Sequence, residues 1–517
     1  MSDIYIPGIR SRFNTEQIVD DLMRIERVPR DRAQSNVERF EAERIYWSDV
    51  GTRTNALRES ASHLFSFQNP FSDRSVRSSD ESIMTGTANR QAYEQDLSFT
   101  VKQLARSDRF LSAPLEENFQ VESGFYSFTV GEEEISFDFR GGSLREFSEA
   151  LNRRGRDLIS SSLIAVRPGT RSLLIESRIT GEENRLGFGG DSLSLGQATG
   201  MIELIYNEIP DVEADEDAEG LEINQNQAPT IRPLNPVSVA QDSIIAMEGI
   251  DIYRPTNEID DLMTGVTISV KAVTDRPVRL TVDTDRETIK DSIINFVGHY
   301  NRLMAELNIL TRNDVNVLNE ITYFTREERE EYRERLGVFS ADSSLLNLRD
   351  SLLRIATAQY PTSGSGDISL LSQIGIGTDV RRSGASAGSD ASRLRGYLEI
   401  DERALDTALA SNLNEIRELF AFSTTGDILP DTGVAYAIDS LVRPFSQSGG
   451  LISIRTGNID SRITQETRRI ETLDRQLAAR EIELRRQYSI MEGAFQRMEQ
   501  MSSSLDRFQQ QNNFNNR

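Results

Sequence analysis

Residues 459–498 read IDSRITQETRRIETLDRQLAAREIELRRQYSIMEGAFQRM, and this stretch decides the fold of the C-terminal end of the chain. Apolar residues recur in it every three, four or seven positions, with charged residues between them. This spacing predicts one long α-helix with a single apolar stripe, which we expect to begin near Ser453. Such a stripe needs a partner helix. Its members that we assign to a coiled-coil or assembly interface are Ile463, Ile470, Leu473, Leu477, Leu484, Tyr488, Met491, Phe495 and Met498.

A second apolar ladder near the N-terminus predicts a helix that pairs with the first. Pro29 is expected to end or kink this helix, because proline lacks a backbone N–H. The apolar spacing resumes after it and continues to about Leu64. Two ladders at opposite ends of the chain favour an assembling protein over a catalyst. The members of this second ladder that we assign to the coiled-coil or assembly interface are Ile18, Leu22, Ile25, Val37, Phe40 and Trp47.

The middle of the chain is predicted to be rich in strands, because its apolar residues alternate with polar ones. The clearest pair of strands lies at residues 126–130 and 135–139, and Ser143 with Glu146 forms a capping box for a short helix after them. Residues 207–236 are rich in acidic residues, Asn, Gln and Pro, which predicts a flexible loop. Further strands are predicted at residues 161–167, 172–178, 243–255, 265–273 and 276–283.

Three helical stretches follow the strands. Thr284 with Glu287 is predicted to form a second capping box at the start of the first stretch. The other two stretches are predicted at residues 343–356 and 401–422. The first stretch has apolar residues at steps of four and three without a break, which makes it a candidate to pack against the terminal helices. These residues are Ile289, Ile293, Phe296, Tyr300, Leu303, Leu307 and Leu310.

The composition excludes several classes of partner and site. The chain has 517 residues, of which 58 are basic and 82 are acidic, with a formal net charge of −24. A chain so acidic repels nucleic acid and anionic lipid, so neither is expected as a partner. It contains no cysteine, which excludes thiol nucleophiles, disulfides and cysteine zinc sites. We also expect no secretory signal and no membrane insertion, since no segment approaches the roughly 20 apolar residues of a spanning helix.

Two short motifs imitate known sites, and each has a simpler interpretation. Residues 384–388 read GASAG, the pattern of a nucleophile elbow around Ser386, but neither a strand nor a helix flanks them and both histidines precede the serine. Residues 215–220 resemble the first half of a calcium loop, but the twelfth position is Asn226. His63 and His299 are isolated. We therefore predict no catalytic group, no metal and no cofactor.

Several segments resemble the bacterial flagellar filament cap family, also called hook-associated protein 2. The N-terminal helix has a turn, an IVxxLMxxE pattern and a proline, and Tyr300-Asn301 resembles part of the central family signature. The resemblance covers most of the chain in the family's order. The matching segments are SRFNTEQIVDDLMRIERVP (11–29), GFYSFTVGEEEISFDF (124–139), RSLLIESRITGEEN (171–184), MEGIDIYRPTNEIDDLMTGVTISV (247–270), LRGYLEIDERALDTAL (394–409), IRELF (416–420) and SGGLISIRTGNIDSRI (448–463).

This resemblance implies an α+β multidomain chain. Long terminal α-helices would form a coiled-coil leg, followed by a helical-bundle stalk and strand-rich head domains inserted between the helices. The implied domains are the leg (1–40 and 465–517), the stalk (41–75 and 284–464), the first head domain (76–118 and 237–283), the second head domain or hook-associated insertion module (119–206) and the acidic loop (207–236).

The family implies a structural cap, not an enzyme, at the distal end of the flagellar filament. Such a cap promotes the folding and polymerisation of exported flagellin and prevents its loss. The implied partners are further copies in a ring, a pentamer or a hexamer, together with flagellin, the hook–filament junction proteins and a cytoplasmic export chaperone. Secretion by the flagellar type III apparatus would place the chain at the filament tip, either extracellular or periplasmic. The alternative is a surface adhesin or glycan-binding module that uses the head domains.

Overall fold

The computed structural model of the chain describes residues 15–205, 230–321, 324–363, 368–378, 396–427 and 429–515. The chain divides into two compact units, of which the first is Met1–Pro70 with Arg286–Arg517 and the second is Phe71–Asp285. The first unit is therefore built from both ends of the chain, and the second is one continuous insertion. The predicted α+β class with long terminal helices is confirmed.

The described residues form helices in both units. They are α1 (Thr15–His63), α2 (Leu144–Gly155), α3 (Asp191–Ala198), α4 (Arg286–Thr311), α5 (Asn316–Glu320), α6 (Arg326–Arg333), α7 (Ser343–Thr357), α8 (Glu402–Ser411), α9 (Leu413–Phe420), α10 (Val434–Ser446) and α11 (Leu451–Asn515).

Most strands belong to the second unit. The strands are β1 (Arg74–Ser78), β2 (Met84–Ala88), β3 (Gln95–Gln103), β4 (Arg109–Leu111), β5 (Leu115–Glu116), β6 (Gln120–Val130), β7 (Glu133–Ser143), β8 (Ile159–Ile164), β9 (Thr170–Ser177), β10 (Leu186–Gly190), β11 (Ile202–Ile205), β12 (Thr230–Pro233), β13 (Pro236–Ser238), β14 (Ser243–Met247), β15 (Ile250–Arg254), β16 (Glu258–Met263), β17 (Val266–Val270), β18 (Val278–Thr284), β19 (Ile376–Gly377) and β20 (Glu399–Ile400).

The two terminal helices are continuous over their whole described length. α11 begins two residues before the predicted start, which confirms that prediction. α1 runs through Pro29, so the predicted end of the helix at this residue is wrong. Proline deprives the carbonyl of Ile25 of its helical hydrogen bond. Pro29 is exposed, so water can bind that carbonyl and the helix continues.

α4 supplies the core of the first unit. Phe296 packs edge-on against Phe420 of α9, with 5.9 Å between the ring centroids. The side-chain amide of Asn301 donates to the carbonyl of Leu398 at 2.7 Å and accepts from its N–H at 2.8 Å, which fixes the segment before α8 on α4. The predicted ladder is confirmed as a buried face, because each of its members is 0% exposed: Ile289, Ile293, Phe296, Tyr300, Leu303, Leu307 and Leu310.

The predicted capping box at the start of α4 is wrong. Thr284 does not cap α4, because it is the last residue of β18 and its hydroxyl bonds to Arg74 and Glu94. α4 begins at Arg286 instead. The helical stretch predicted at residues 401–422 is confirmed and consists of two helices, α8 and α9, between which Asn412 adopts φ −134° and ψ 41°.

The second unit contains two hydrophobic cores, and the first lies between two antiparallel sheets. One sheet has the order β1-β18-β3-β14-β15 and the other the order β16-β17-β2. Phe99 of β3 and Ile268 of β17 meet in the shared core and are both 0% exposed. The sheets approach closely at Gly86, where a Cβ atom would lie 2.9 Å from Cγ1 of Val76. The predicted strands at 265–273 and 276–283 are confirmed, and the predicted strand at 243–255 is two antiparallel strands, β14 and β15.

The second core lies beneath α2, which packs on β7 and β8. The β6–β7 hairpin pairs Tyr126 with Phe137, as the alternation in the sequence predicts. The predicted capping box is confirmed, since the Ser143 hydroxyl accepts from the Glu146 N–H at 3.3 Å and the Glu146 carboxylate accepts from the Ser143 N–H at 2.8 Å. Asp108, which was not predicted, is a fully buried carboxylate that accepts from the N–H groups of Leu186 and Ala240 at 2.8 and 2.7 Å.

The segment predicted as a loop at residues 207–236 contains strands in its described part. Its last residues form β12, which pairs with β11, and the start of β13, which pairs with β4. These strands are stabilised by partners that lie far away in the sequence, so their polar composition did not reveal them. Residues 206–229 lie outside the described residues.

We expect Phe296→Ala to lower the free energy of unfolding of the first unit by about 3–5 kcal/mol, because it leaves a cavity in a fully packed core. Trp47, the sole tryptophan and 3% exposed, reports unfolding of this unit through its fluorescence in urea. Asn295→Ala, at an exposed position on the same helix, is the control and should change stability by less than about 0.5 kcal/mol. Equal effects of the two variants would contradict the assigned core.

Candidate functional site in the paired terminal helices

α1 and α11 pack side by side in antiparallel orientation, and ion pairs mark their register. Glu26 pairs with Arg480 at 3.7 Å, Arg30 with Asp474 at 3.2 Å, and Arg44 with Asp460 at 3.2 Å. The nearer a residue of these pairs lies to the start of α1, the nearer its partner lies to the end of α11, as antiparallel helices require. These exposed pairs contribute little stability individually, but they fix which residues of the two helices face each other.

A small apolar core fills the seam between the helices near the start of α1. Val19, Met23 and Leu484 are 3%, 1% and 6% exposed. The sequence predicts a face through Ile18 and Ile25, but these residues are 40% and 69% exposed. The seam is therefore rotated around α1 from the predicted face. Val19 and Met23 were missed, although their spacing of four residues is also typical of a helical face.

The predicted interface residues fall into two groups by exposure. Ten of them are buried or half-buried, and five are exposed. The first group is Leu22, Val37, Phe40, Trp47, Ile463, Ile470, Leu473, Leu477, Leu484 and Tyr488. The second group is Ile18, Ile25, Met491, Phe495 and Met498.

Aromatic residues of α1 anchor the other end of the seam. The guanidinium of Arg455 lies 5.6 Å from the ring centroid of Trp47, and that of Arg462 lies 5.7 Å from the ring of Phe40. The helices approach closely at Gly51, where a Cβ atom would lie 3.2 Å from Cγ2 of Ile452. The cationic arginine stems thus cover apolar surface along the seam.

A buried ionic network fixes α1 to α4. The Glu306 carboxylate is 1% exposed and lies 3.0 Å from Nε of Arg53 and 3.4 Å from the guanidinium of Arg335. Arg335 also pairs with Asp49 at 2.5 Å, and Arg53 donates to the hydroxyl of Tyr332 at 2.8 Å. Burial raises the pKa of Glu306 above its usual value, and the two arginines offset part of this shift. The second half of α1 is therefore held in the helical bundle by a network that the sequence pattern did not reveal.

The apolar stripe of α11 continues beyond Thr15, the first described residue of α1. The ion-pair register places Thr15 opposite the region of α11 near Tyr488. Past this point Met491, Met498 and Leu505 are 45%, 58% and 60% exposed, and Met501 is 70% exposed. An exposed apolar stripe of this kind is typical of a protein–protein interface.

Comparison with known proteins identifies the family. The model of the flagellar hook-associated protein 2 C-terminus matches residues 240–500, and the model of the N-terminus matches residues 11–108. The chain belongs to the flagellar hook-associated protein 2 family. This is the filament cap family that the sequence resembles, so the resemblance is confirmed. The family is a structural one, which also confirms that the chain is a flagellar component and not an enzyme.

Individual relatives match over nearly their full length. Flagellar hook-associated protein 2 of Treponema maltophilum is 31% identical and is matched over 92% of this chain and 94% of its own length. The protein of the same name from Treponema pallidum is 28% identical, with 99% of both chains matched. A crystal structure of the flagellar cap protein from Escherichia coli has a TM-score of 0.50 at 20% identity and covers 80% of this chain, which shows a shared fold.

Other candidate sites gain nothing from the structure. Within the described ranges, no three histidine, aspartate or glutamate side chains are grouped so that they could hold a metal ion. No helix in the same part of the chain has the length and apolarity needed to cross a membrane. Burial lowers the pKa of His299, which favours a neutral packing residue. The GASAG motif and residues 215–226 lie outside the described residues.

We expect Leu484→Ala to destabilise the paired helices by about 2–3 kcal/mol, because it empties the small core of the seam. Hydrogen exchange of the monomeric chain should then accelerate in α1 around Met23 and in α11 around Leu484. Ile482→Ala is the matched control, since Ile482 is 69% exposed and two positions away. Unchanged exchange in Leu484→Ala would contradict the seam.

We expect Arg335→Leu to lower the free energy of unfolding of the first unit by about 3–5 kcal/mol, because Glu306 then loses a partner while it stays buried. Replacement of both residues, Arg335→Leu with Glu306→Leu, should recover part of that loss since no buried charge is left uncompensated. Urea unfolding followed by Trp47 fluorescence measures both variants. Additive losses in the double variant would show that the two side chains are not coupled.

Proposed function

We propose that the chain caps the distal end of the bacterial flagellar filament, where it promotes the folding and polymerisation of exported flagellin and prevents its loss. Membership of the flagellar hook-associated protein 2 family supports this proposal. The observation that carries it is the exposed stripe of Met498, Met501 and Leu505, which prolongs the seam of the terminal helices. Such a stripe leaves water only when another protein covers it.

The distribution of charge supports burial of the terminal helices in an assembly. α1 contains 8 arginine and 10 acidic residues, and α11 contains 10 arginine and 9 acidic residues. The pair therefore has a formal charge of −1, although the whole chain has −24. A nearly neutral pair can pack closely against copies of itself or against filament subunits with little charge repulsion, while the acidic remainder of the chain stays soluble.

In this proposal residues 1–40 and 465–517 act as the leg that enters the filament, and the stalk and head domains stay at its tip. The exposed predicted interface residues Ile18, Ile25, Met491, Phe495 and Met498 then contact other subunits. The partners are further copies in a ring, flagellin, the hook–filament junction proteins and an export chaperone. Secretion by the flagellar type III apparatus belongs to the same proposal. No described feature favours the adhesin alternative.

The proposal is tested by complementing a deletion strain with the wild-type gene or with Met498→Glu. A charge in the middle of the exposed stripe should prevent its burial, so we expect short filaments and free flagellin outside the cytoplasm. The flagellin is measured in the medium, or in the periplasmic fraction of cells with internal filaments. Met498→Leu keeps the position apolar and should restore filaments.

Gln500→Glu is the matched control, because it adds the same charge at an exposed position off the stripe. It should support normal filaments. The proposal fails if the deletion strain itself builds filaments of normal length without releasing flagellin. Equal filament assembly with Met498→Glu and Gln500→Glu would show that the exposed stripe does not take part in capping.

A further inference from the structure

The seam within the chain does not use several exposed isoleucines of the paired helices, among them Ile18, Ile25 and Ile482. Ile18 and Ile25 of α1 are 40% and 69% exposed, and Ile482 of α11 is 69% exposed. At 100° per residue, Ile25 is turned about 120° from Val19 around α1, and Ile482 is turned about 160° from Leu484 around α11. All three side chains therefore face away from the seam.

These isoleucines lie at one level along the helix pair. Glu26, next to Ile25, pairs with Arg480, and Leu484 packs against Val19 and Met23. Ile482 is consequently level with the part of α1 between Ile18 and Ile25. Ile18 and Ile25 are two helical turns apart, about 10 Å, on the same flank of α1. One isoleucine side chain fits between two residues with this spacing, as in a coiled coil.

We infer that Ile482 of one chain packs between Ile18 and Ile25 of a second copy, so that adjacent terminal helix pairs contact each other directly. This inference rests on the proposed function, which requires a ring of copies. Neighbours in a closed ring are related by a rotation without translation along the axis. Where the helix pairs run along that axis, two surfaces that touch must lie at the same height along it. Ile482 on α11 and the pair Ile18 and Ile25 on α1 do lie at the same height.

The equal height of these isoleucines along the helix pair favours a second copy of the chain, and not flagellin, as the protein that covers them. A different protein could cover Ile25 and Ile482 at any relative height, whereas a rotated copy requires them to coincide. The two patches are also different surfaces of the chain, so the contact is head-to-tail and can repeat around a ring. The near neutrality of both helices allows this close approach.

The absence of cysteine from the chain makes a direct test possible. Full-length Ile25→Cys and Ile482→Cys chains are purified separately, mixed, and oxidised by dissolved oxygen with a copper–phenanthroline catalyst. Each chain has one thiol, so every disulfide joins two chains, and it forms only if the Cβ atoms come within about 4.5 Å. We expect a disulfide-linked dimer in the mixture and much less in either variant alone.

Arg27→Cys is the matched control, because Arg27 is exposed and is turned about 160° from Ile25 around α1. Mixed with Ile482→Cys, it should give at least tenfold less cross-linked dimer. Circular dichroism of each variant confirms folding, and light scattering of the same samples gives the oligomeric state.

Oligomers without cross-linking above the Arg27 control would overturn this inference and leave the proposed function standing. Efficient cross-linking of Ile25→Cys with itself would overturn the head-to-tail contact. A chain that stays monomeric at high concentration and gives no cross-link would overturn the inference as well. The flagellin release assay reports failure of the capping function independently.

Discussion

The antiparallel seam between α1 and α11 joins the two ends of the chain, and the rest of the first unit is arranged around it. Its core is small, with Val19, Met23 and Leu484 at one end and Trp47 beneath Arg455 at the other. The ends meet across more than 400 residues, so closing this contact costs chain entropy that a short seam does not offset alone. The buried α4 ladder and the Glu306 network supply the additional stabilisation.

The terminal helices therefore have a tightly held part and an exposed part. The second half of α1 is fixed by buried ion pairs and by a fully packed helix, whereas the end of α11 extends past the described start of α1 with methionines exposed. Methionine is flexible and polarisable, so it can adapt to more than one partner surface. In the proposed capping function, an adaptable surface held on a firm base suits a tip that accepts subunits repeatedly.

Particular residues show why some elements followed from the sequence and others did not. The α4 ladder is apolar at every third or fourth position and is buried in one core, so its pattern predicted its burial. In α1 two neighbouring faces are apolar, and the pattern favoured Ile18 and Ile25 although Val19 and Met23 fill the seam. Asp108 and Glu306 are buried acidic residues whose partners are distant in the chain, and acidic residues are common throughout this sequence.

The sequence by itself determined the helical termini, the strand-rich insertion, the family and the continuous apolar stripe of α11, because these depend on local periodicity and on residue order. Tertiary structure alone decided which face of α1 meets α11, that the helix continues through Pro29, that Thr284 ends a strand, and that residues 230–238 form strands. The helix continues through Pro29 because water can reach the carbonyl of Ile25, whereas each of the other outcomes depends on a partner that is far away along the chain. A local sequence pattern contains no information about such a partner, so only tertiary packing could decide between the alternative structures.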